Sequence, residues 1–330
     1  MFFAPRQGRA RDSPRAPTSV MIYALSTHWN AYRHSSGEAL VEEILRAGFG
    51  QMELGYDLRP DLAPGVREMV RRGAISVSSV HNFCPVPVGA PHGHPELFTF
   101  ASLDPEVRAR AIHHTRRTIE FASELGAPCV VAHAGNVEMR NLTHKLVALY
   151  ECGRQFDRRY ERIKLKLLMR REKKIARQLE ALDQSLVALL PALESARVRL
   201  ALENLPSWEG IPSEAETEAI CRKFQSPWIG YWHDIGHGQV RQNLGFISQR
   251  HWVEKLSPWL AGMHIHDVVP PAQDHLMPPD GNVDFAAFSG LVHDRLALVF
   301  EPAPGMPIEK IREGLRIVRA AWDRQGAAEG

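Results

Sequence analysis

From Met21 onward, short apolar runs alternate with longer amphipathic stretches. The runs are IYALS (22–26), GQMELG (50–55), ISVSSVH (75–81), CVVAHAG (129–135), VRLALEN (198–204), IGYWHD (229–234), GMHIHD (262–267) and LALVFEP (296–302). Their apolar residues tend to be consecutive rather than alternating, as expected for parallel strands buried on both faces. Helix signals fill the gaps. SSGEALVEEILRAG (35–48) has Ser and Gly at its start and Gly48 at its end, while residues 104–126 offer Asp104 as N-cap, Pro105 at the first helical position and Gly126 at the C-terminus. Eight such units in 330 residues predict one α/β domain, a (β/α)8 TIM barrel.

One segment departs from this alternation. Residues 138–197 separate strands four and five, with Leu179, Leu182, Leu186, Leu190 and Leu193 at helical spacing. They predict a long helical insertion, an arm over about 138–185 that carries thirteen Lys/Arg against seven Asp/Glu. Its basic face reads either as a solvated surface packed on the barrel or on a second copy of the chain, or as a seat for an acidic or phosphate-bearing partner. At the other extreme, residues 1–20 contain Arg6, Arg9, Arg11 and Arg15 with three prolines and no long apolar core. They read as a disordered tail before a barrel spanning 21–330, with Met21 as an alternative start.

Composition adds exclusions. With 44% hydrophobic and 24% charged residues the chain is globular, and a net charge of +2 does not by itself suggest a nucleic-acid partner. No apolar run of about 18 residues suggests a membrane span. Cys84, Cys129, Cys152 and Cys221 show no CxxC spacing and read as reduced thiols of a cytoplasmic protein.

The chemistry gathers at strand ends. In such a barrel all eight strand C-termini open onto one face, where active sites lie. Reading them off gives His81, His133, Glu203, Asp234 with His237 shortly after, His264, His275 in the following loop, and Glu301. Each has a plain alternative: a lone His81 or His133 is more often a hydrogen-bonded core residue, and Glu203 could cap a helix. Taken together, carboxylates and imidazoles at the ends of strands five to eight call for a divalent cation to offset the cost of burying charge.

ALEN (201–204), HDIGH (233–237), HIHD (264–267) and FEP (300–302), in this order, resemble the xylose isomerase-like TIM barrels. That superfamily includes sugar-phosphate isomerases and epimerases, inosose dehydratase-like enzymes and type-IV apurinic endonucleases. The resemblance spans roughly 21–320 without the arm. It implies a divalent metal (Mn, Mg, Co or Zn) held by Glu203, Asp234, His264 and Glu301, and a carbohydrate substrate touched by His237. It also implies proton transfer through a metal-stabilised enediolate, with Glu203 and Glu301 as acid and base in turn. Further hydrogen-bonding candidates for a hydroxylated, uncharged substrate are Glu53, Asn204 and Trp232, then His28 and Asn82, with Trp232 also readable as core. His266 and Asp267 are expected to support the ligands, and Pro278, Pro279 and Gly281 to make a rigid turn over the mouth.

The apurinic endonucleases provide an alternative, since His81, His133, Asp234, His237 and His275 also match positions of their trinuclear zinc cluster. Here Gln273 replaces the first carboxylate of their Asp-x-His pair, and the barrel lacks Lys/Arg-rich, aromatic-interleaved loops for a duplex, so nucleic acid is not the expected partner. Epimerases often carry an Arg shortly after the strand-seven His; HIHDVVPPAQDH has none, which puts any particular sugar in doubt. A keto-sugar or keto-inositol dehydratase would use the same enolate chemistry. A non-catalytic scaffold acting through the arm, or a homo-oligomer formed by it, are the remaining readings.

Overall fold

A computed structural model describes residues 21–323; the tail expected over 1–20 lies outside them. Eight parallel strands close into a barrel. They are β1 (Tyr23–Ser26), β2 (Gln51–Leu54), β3 (Ser76–His81), β4 (Cys129–Ala132), β5 (Arg199–Glu203), β6 (Ile229–Asp234), β7 (Leu260–Ile265) and β8 (Ala297–Phe300). β8 returns to β1 through the pair Tyr23–Leu298, so no edge is left open. Every strand follows one of the apolar runs of the sequence.

The helices are α1 (Gly37–Ala47), α2 (Ala63–Arg71), α3 (Pro105–Glu124), α4 (Thr143–Glu151), α5 (Arg158–Ala196), α6 (Glu214–Phe224), α7 (Ile235–Asn243), α8 (Gln249–Leu256) and α9 (Ile308–Trp322). Local chemistry sets their ends. Ser36 caps α1 by accepting from the Ala39 N–H, and Gly48 ends it at φ 98°, a conformation that suits glycine. Asp104 caps α3 ahead of Pro105, and Ser213 and Glu216 form a reciprocal capping box on α6.

The insertion between β4 and β5 is α4 plus the 39-residue α5. α5 runs unbroken from the basic arm through Pro191 to Ala196 and takes in the leucines of helical spacing up to Leu193. A proline there removes one N–H near the helix end, and the buried Leu182, Leu186, Leu189 and Leu193 hold that half against the barrel. The second half of α5 is therefore an ordinary barrel helix and the first half is the true addition. Between β7 and β8 a short hairpin (Asp267–Val269 with Gln273–Leu276) and the 3-10 turn Phe285–Phe288 stand where an α-helix would be expected. Among the described residues no helix is long and apolar enough to cross a membrane.

Inside the barrel, Ala24, Cys129, Val131, Ala201, Trp232 and Val299 form a compact apolar layer. It makes the floor of the site.

Candidate metal centre and active site

The register of β5 to β8 brings their polar ends to one level. Asp234 pairs with His264 across β6 and β7, Val299 pairs with His264 across β7 and β8, and the Glu301 N–H donates to the Ile265 carbonyl. The His264 Nδ1 atom lies 3.2 Å from Glu203, 3.4 Å from Glu301 and 3.6 Å from Asp234. All four residues are buried. The sequence-expected quartet thus meets at one atom.

The far side of the His264 ring explains its orientation. Nε2 lies 3.1 Å from Glu53, whose carboxylate also accepts from the Ser79 hydroxyl at 2.8 Å. Glu53 accepts from Nε2 and so fixes the ring with Nδ1 turned to the three carboxylates, the atom that would meet a metal ion in place of a proton. Glu53 is completely buried on this far side of His264, and Trp232, also completely buried, packs on the same ring at 5.0 Å. Trp232 fills the barrel floor, which corrects its expected substrate contact; Glu53, as buried as Asp234 and His264, stands behind His264 and forms with it and Glu301 a further group that could hold a metal. Asn204 is likewise structural, accepting from the Asp234 N–H and donating to the Asp234 carbonyl, each at 2.9 Å. Asn82 is tied to Thr115 of α3 at 2.9 Å.

A second ring of imidazoles surrounds the quartet. Glu203 Oε2 lies 3.1 Å from His81 Nε2 and 3.3 Å from His133 Nε2, while its Oε1 faces His264 and, at 3.4 Å, His237. Asp234 caps α7 through the His237 N–H at 2.6 Å and lies 2.9 Å from His266 Nε2. His266 in turn accepts the His275 N–H at 2.9 Å and stacks on its ring at 4.2 Å. Gly236 allows this arrangement: a Cβ there would overlap the His266 ring, which rationalises the glycine of HDIGH. His266 therefore touches a quartet residue directly, whereas Asp267 accepts from the Val268, Gly281 and Val283 N–H groups and fixes the 278–283 turn instead.

Electrostatics follow from this crowding. Burial alone would raise the Glu203 carboxyl, but His264 and His133 hold it well below the usual range. Asp234 is likewise held down, by His237 and His266 against its burial. Glu301 goes the other way, raised by burial and by the nearby Glu203 and Glu53 charges. Burial would lower His237, yet Asp234 and Glu203 push it up to about 10; His275, buried beside His266 and His237, falls well below the usual range. The field of four carboxylates favours a positive species at His264 Nδ1, whether a proton or a metal ion. Oxygen-rich ligands with one imidazole suit Mn, Mg, Co or Zn. Glu203, Asp234 and His264 each offer an atom within 4.8 Å of the others, as do His81, His133 and Glu203, and His237, His266 and His275. The residues present fit a divalent cation.

At the rim, His28 and His133, both sequence candidates, meet groups that the sequence did not single out: Asp57, Tyr56 and Glu96. His28 Nδ1 bonds Asp57 at 3.0 Å, and the Tyr56 hydroxyl lies 3.4 Å from His28 Nε2. Glu96 takes both bonds of the Asn136 amide and sits 3.7 Å from His133 Nδ1, a buried nitrogen without a hydrogen bond. Tyr56 and Asp57 follow directly after the β2 run and were findable there; Glu96 comes from a long loop with no strand to mark it. The charges felt most strongly by Glu203, Asp234, His237, His28, His133 and Tyr56 are those of histidines and carboxylates, with no lysine or arginine among them.

A family model described as "Xylose isomerase-like TIM barrel" matches residues 41–321. No curated protein matches the sequence. Among solved structures, a D-tagatose 3-epimerase-like protein superposes with a TM-score of 0.64 at 20% identity, over 91% of this chain and 99% of its own. An L-ribulose 3-epimerase gives a TM-score of 0.66 at 16% identity, over 92% and 95% respectively. A 3-keto-D-glucoside 4-epimerase from E. coli gives 0.65 at 16%, over 91% and 100%. Identities this low establish a shared fold.

Proposed function

The chain belongs to the xylose isomerase-like TIM-barrel family, and from that premise we propose that it is a divalent-metal-dependent isomerase or epimerase of uncharged sugars. The observation that carries this reading is the approach of Glu203 and Glu301, from strands three apart around the ring, to the same His264 nitrogen. Glu203, Asp234, His264 and Glu301 would hold the metal. When bound, it supplies Lewis-acid stabilisation of negative charge on two neighbouring substrate oxygens.

The chain's own groups do the rest. Glu203, kept ionised, takes a proton from the carbon beside the carbonyl; Glu301, raised in pKa, returns one from the opposite face, and the roles exchange in the reverse direction. His237, fixed through its Nδ1 bond to the Asn204 carbonyl at 3.0 Å, directs Nε2 to a substrate hydroxyl. An acidic, imidazole-rich rim suits hydroxyl groups and disfavours phosphate, so a free sugar fits better than a sugar phosphate. The similar structures named for tagatose, ribulose and a keto-glucoside set the first substrates to try.

The test is to incubate the protein with D-tagatose, L-ribulose and a 3-keto-D-glucoside in D2O with each of Mn, Mg, Co and Zn. Epimer formation with deuterium entering at the carbon beside the carbonyl is the expected result. Glu203→Gln and Glu301→Gln should each lose turnover by at least about a thousandfold. Full activity in either variant would remove the acid/base pair.

The His81–His133–Glu203 group supports a second reading, because Glu203 faces it with the oxygen not turned to His264. Under this reading two or more zinc ions bind per chain and the reaction is phosphodiester hydrolysis. Elemental analysis of untagged protein decides: about one ion per chain supports the sugar enzyme. Two or three, dependent on His81 and His133, would favour the hydrolase, and an abasic-site DNA would be the next substrate.

A further inference from the structure

The charges along α5 are sorted rather than mixed. Elsewhere basic and acidic residues three or four positions apart pair with each other: Arg71 and Arg72 with Glu68, Arg222 with Glu218, Arg250 with Glu254. On α5, residues 158–173 carry eight Lys/Arg against two Glu, and residues 174–196 carry two against three Asp/Glu. Arg162, Lys166 and Arg170 follow one another at four-residue spacing, where like charges weaken a helix. Glu180 has only Ala176 and Gln184 at that spacing, and Glu172 only Leu168 and Ala176. All five charged residues are exposed, and none reaches an opposite charge among the described residues. The helix cannot satisfy them by itself.

An uncovered apolar ridge runs through both halves. Leu165, Met169 and Val187 are 58%, 53% and 59% exposed on it. On one side, Leu168, Met169 and Leu179 open into a groove against α6 that is also lined by Glu172, Asp183 and Glu216. Lys223 binds Asp183 and Arg171 binds Glu216, which leaves Glu172 as the unpaired charge there. On the other side, Leu165 and Met169 border a hollow edged by Arg162, Lys166, Arg170 and Lys173. An acidic partner would match the first half of the strip and be repelled by Glu172 and Glu180, and a basic partner would meet the reverse. Only a surface with the same charge order, turned end for end, matches the whole length.

We propose that this strip is the interface of a two-fold homodimer in which the α5 helices of two copies pack antiparallel. A two-fold contact uses the same patch on both copies, so the patch must complement itself, and the charge order of α5 does so. With the axis passing between Glu172 and Ala176, Met169 lies over Leu179 of the partner subunit. Glu180 of the partner subunit then comes level with Lys166 and Arg170, and the same pairing repeats at the other end. A parallel pair would instead set cation against cation along the first half.

Sedimentation equilibrium of the full-length protein over about 1 to 100 µM should show a monomer–dimer equilibrium that weakens as salt rises. Met169→Glu should raise the dimer Kd about tenfold or more. Two charge variants make the test specific to this pairing. Lys166→Glu with Arg170→Glu, and separately Glu180→Lys, each place like charges together in their own homodimers, and each should raise Kd about tenfold or more. Mixed in equal amounts, these two variants regain opposite charges at both ends and should form a heterodimer about as tight as the wild-type dimer. The substituted positions are exposed, and circular dichroism on the same samples verifies the fold. The proposal is overturned if the full-length protein stays monomeric at about 100 µM. It is equally overturned if the variants dimerise as well as wild type, or if the mixture associates no more tightly than the two charge variants do alone.

Discussion

The two halves of the barrel contribute to the mouth in different ways. β5, β6, β7 and β8 each deliver one metal-type ligand from the strand end itself, so Glu203, Asp234, His264 and Glu301 are placed by sheet register. β1 to β4 contribute imidazoles (His81, His133), a carboxylate beneath the site (Glu53) and rim groups on loops (His28, Asp57, Glu96). Strand-borne groups have little freedom to move relative to one another, and loop-borne ones have more. Under the proposed function, the half that would hold an ion is built from the rigid parts, and the half that would meet the substrate's periphery from the adjustable parts.

Substitutions can separate these roles. The largest effect outside the acid/base pair is expected from Gly236→Ala, which drives a methyl group into the His266 ring. His266 would leave Asp234, and both metal retention and turnover should fall together by about a hundredfold. Metal content and kcat measured on the same sample test this. Normal metal content with normal kcat would show that the Asp234–His266 contact is dispensable. Glu53→Gln comes next. It keeps the shape but removes the carboxylate charge behind His264 Nε2, so metal affinity should drop about 10- to 100-fold with the barrel still folded. A variant that binds metal as tightly as wild type would mean that Glu53 has no part in supporting His264.

The contrast between the halves also decides what could be read from sequence. The quartet was legible because a charged residue ending an apolar run has few innocent explanations, and four runs in succession did so. The barrel was legible for the same reason: parallel strands buried on both faces leave continuous apolar stretches. Glu53 was visible as a substrate contact and Trp232 as either core or substrate contact; sequence places both on strands, but only the closed barrel shows Trp232 in its floor and Glu53 behind His264. Glu96 was out of reach, since its partner His133 lies 37 positions on and no periodicity links them. α5 was recognised as helix from the leucine spacing that runs through Leu193, while the basic composition that marked the arm stops near its middle.

The smallest and most selective effect is expected on the rim, at Asp57. Burial would lower the His28 pKa, but its bond to Asp57 and the charges of Asp57, Glu301 and Glu53 raise it. A raised imidazole stabilises the folded chain while it is protonated. That contribution is fully present below the unfolded histidine value, about 6.5, and disappears as pH rises through the higher folded value. Asp57→Asn should therefore cost up to about 1 kcal/mol at pH 5 to 6 and almost nothing at high pH, and the His28 ring signals in an NMR titration should shift their midpoint downward. On a sugar substrate the same variant should raise KM a few-fold and leave kcat and metal content nearly intact. A collapse of kcat would instead put the His28–Asp57 pair among the proton-carrying groups, and the division between an ion-holding half and a substrate-facing half would no longer stand.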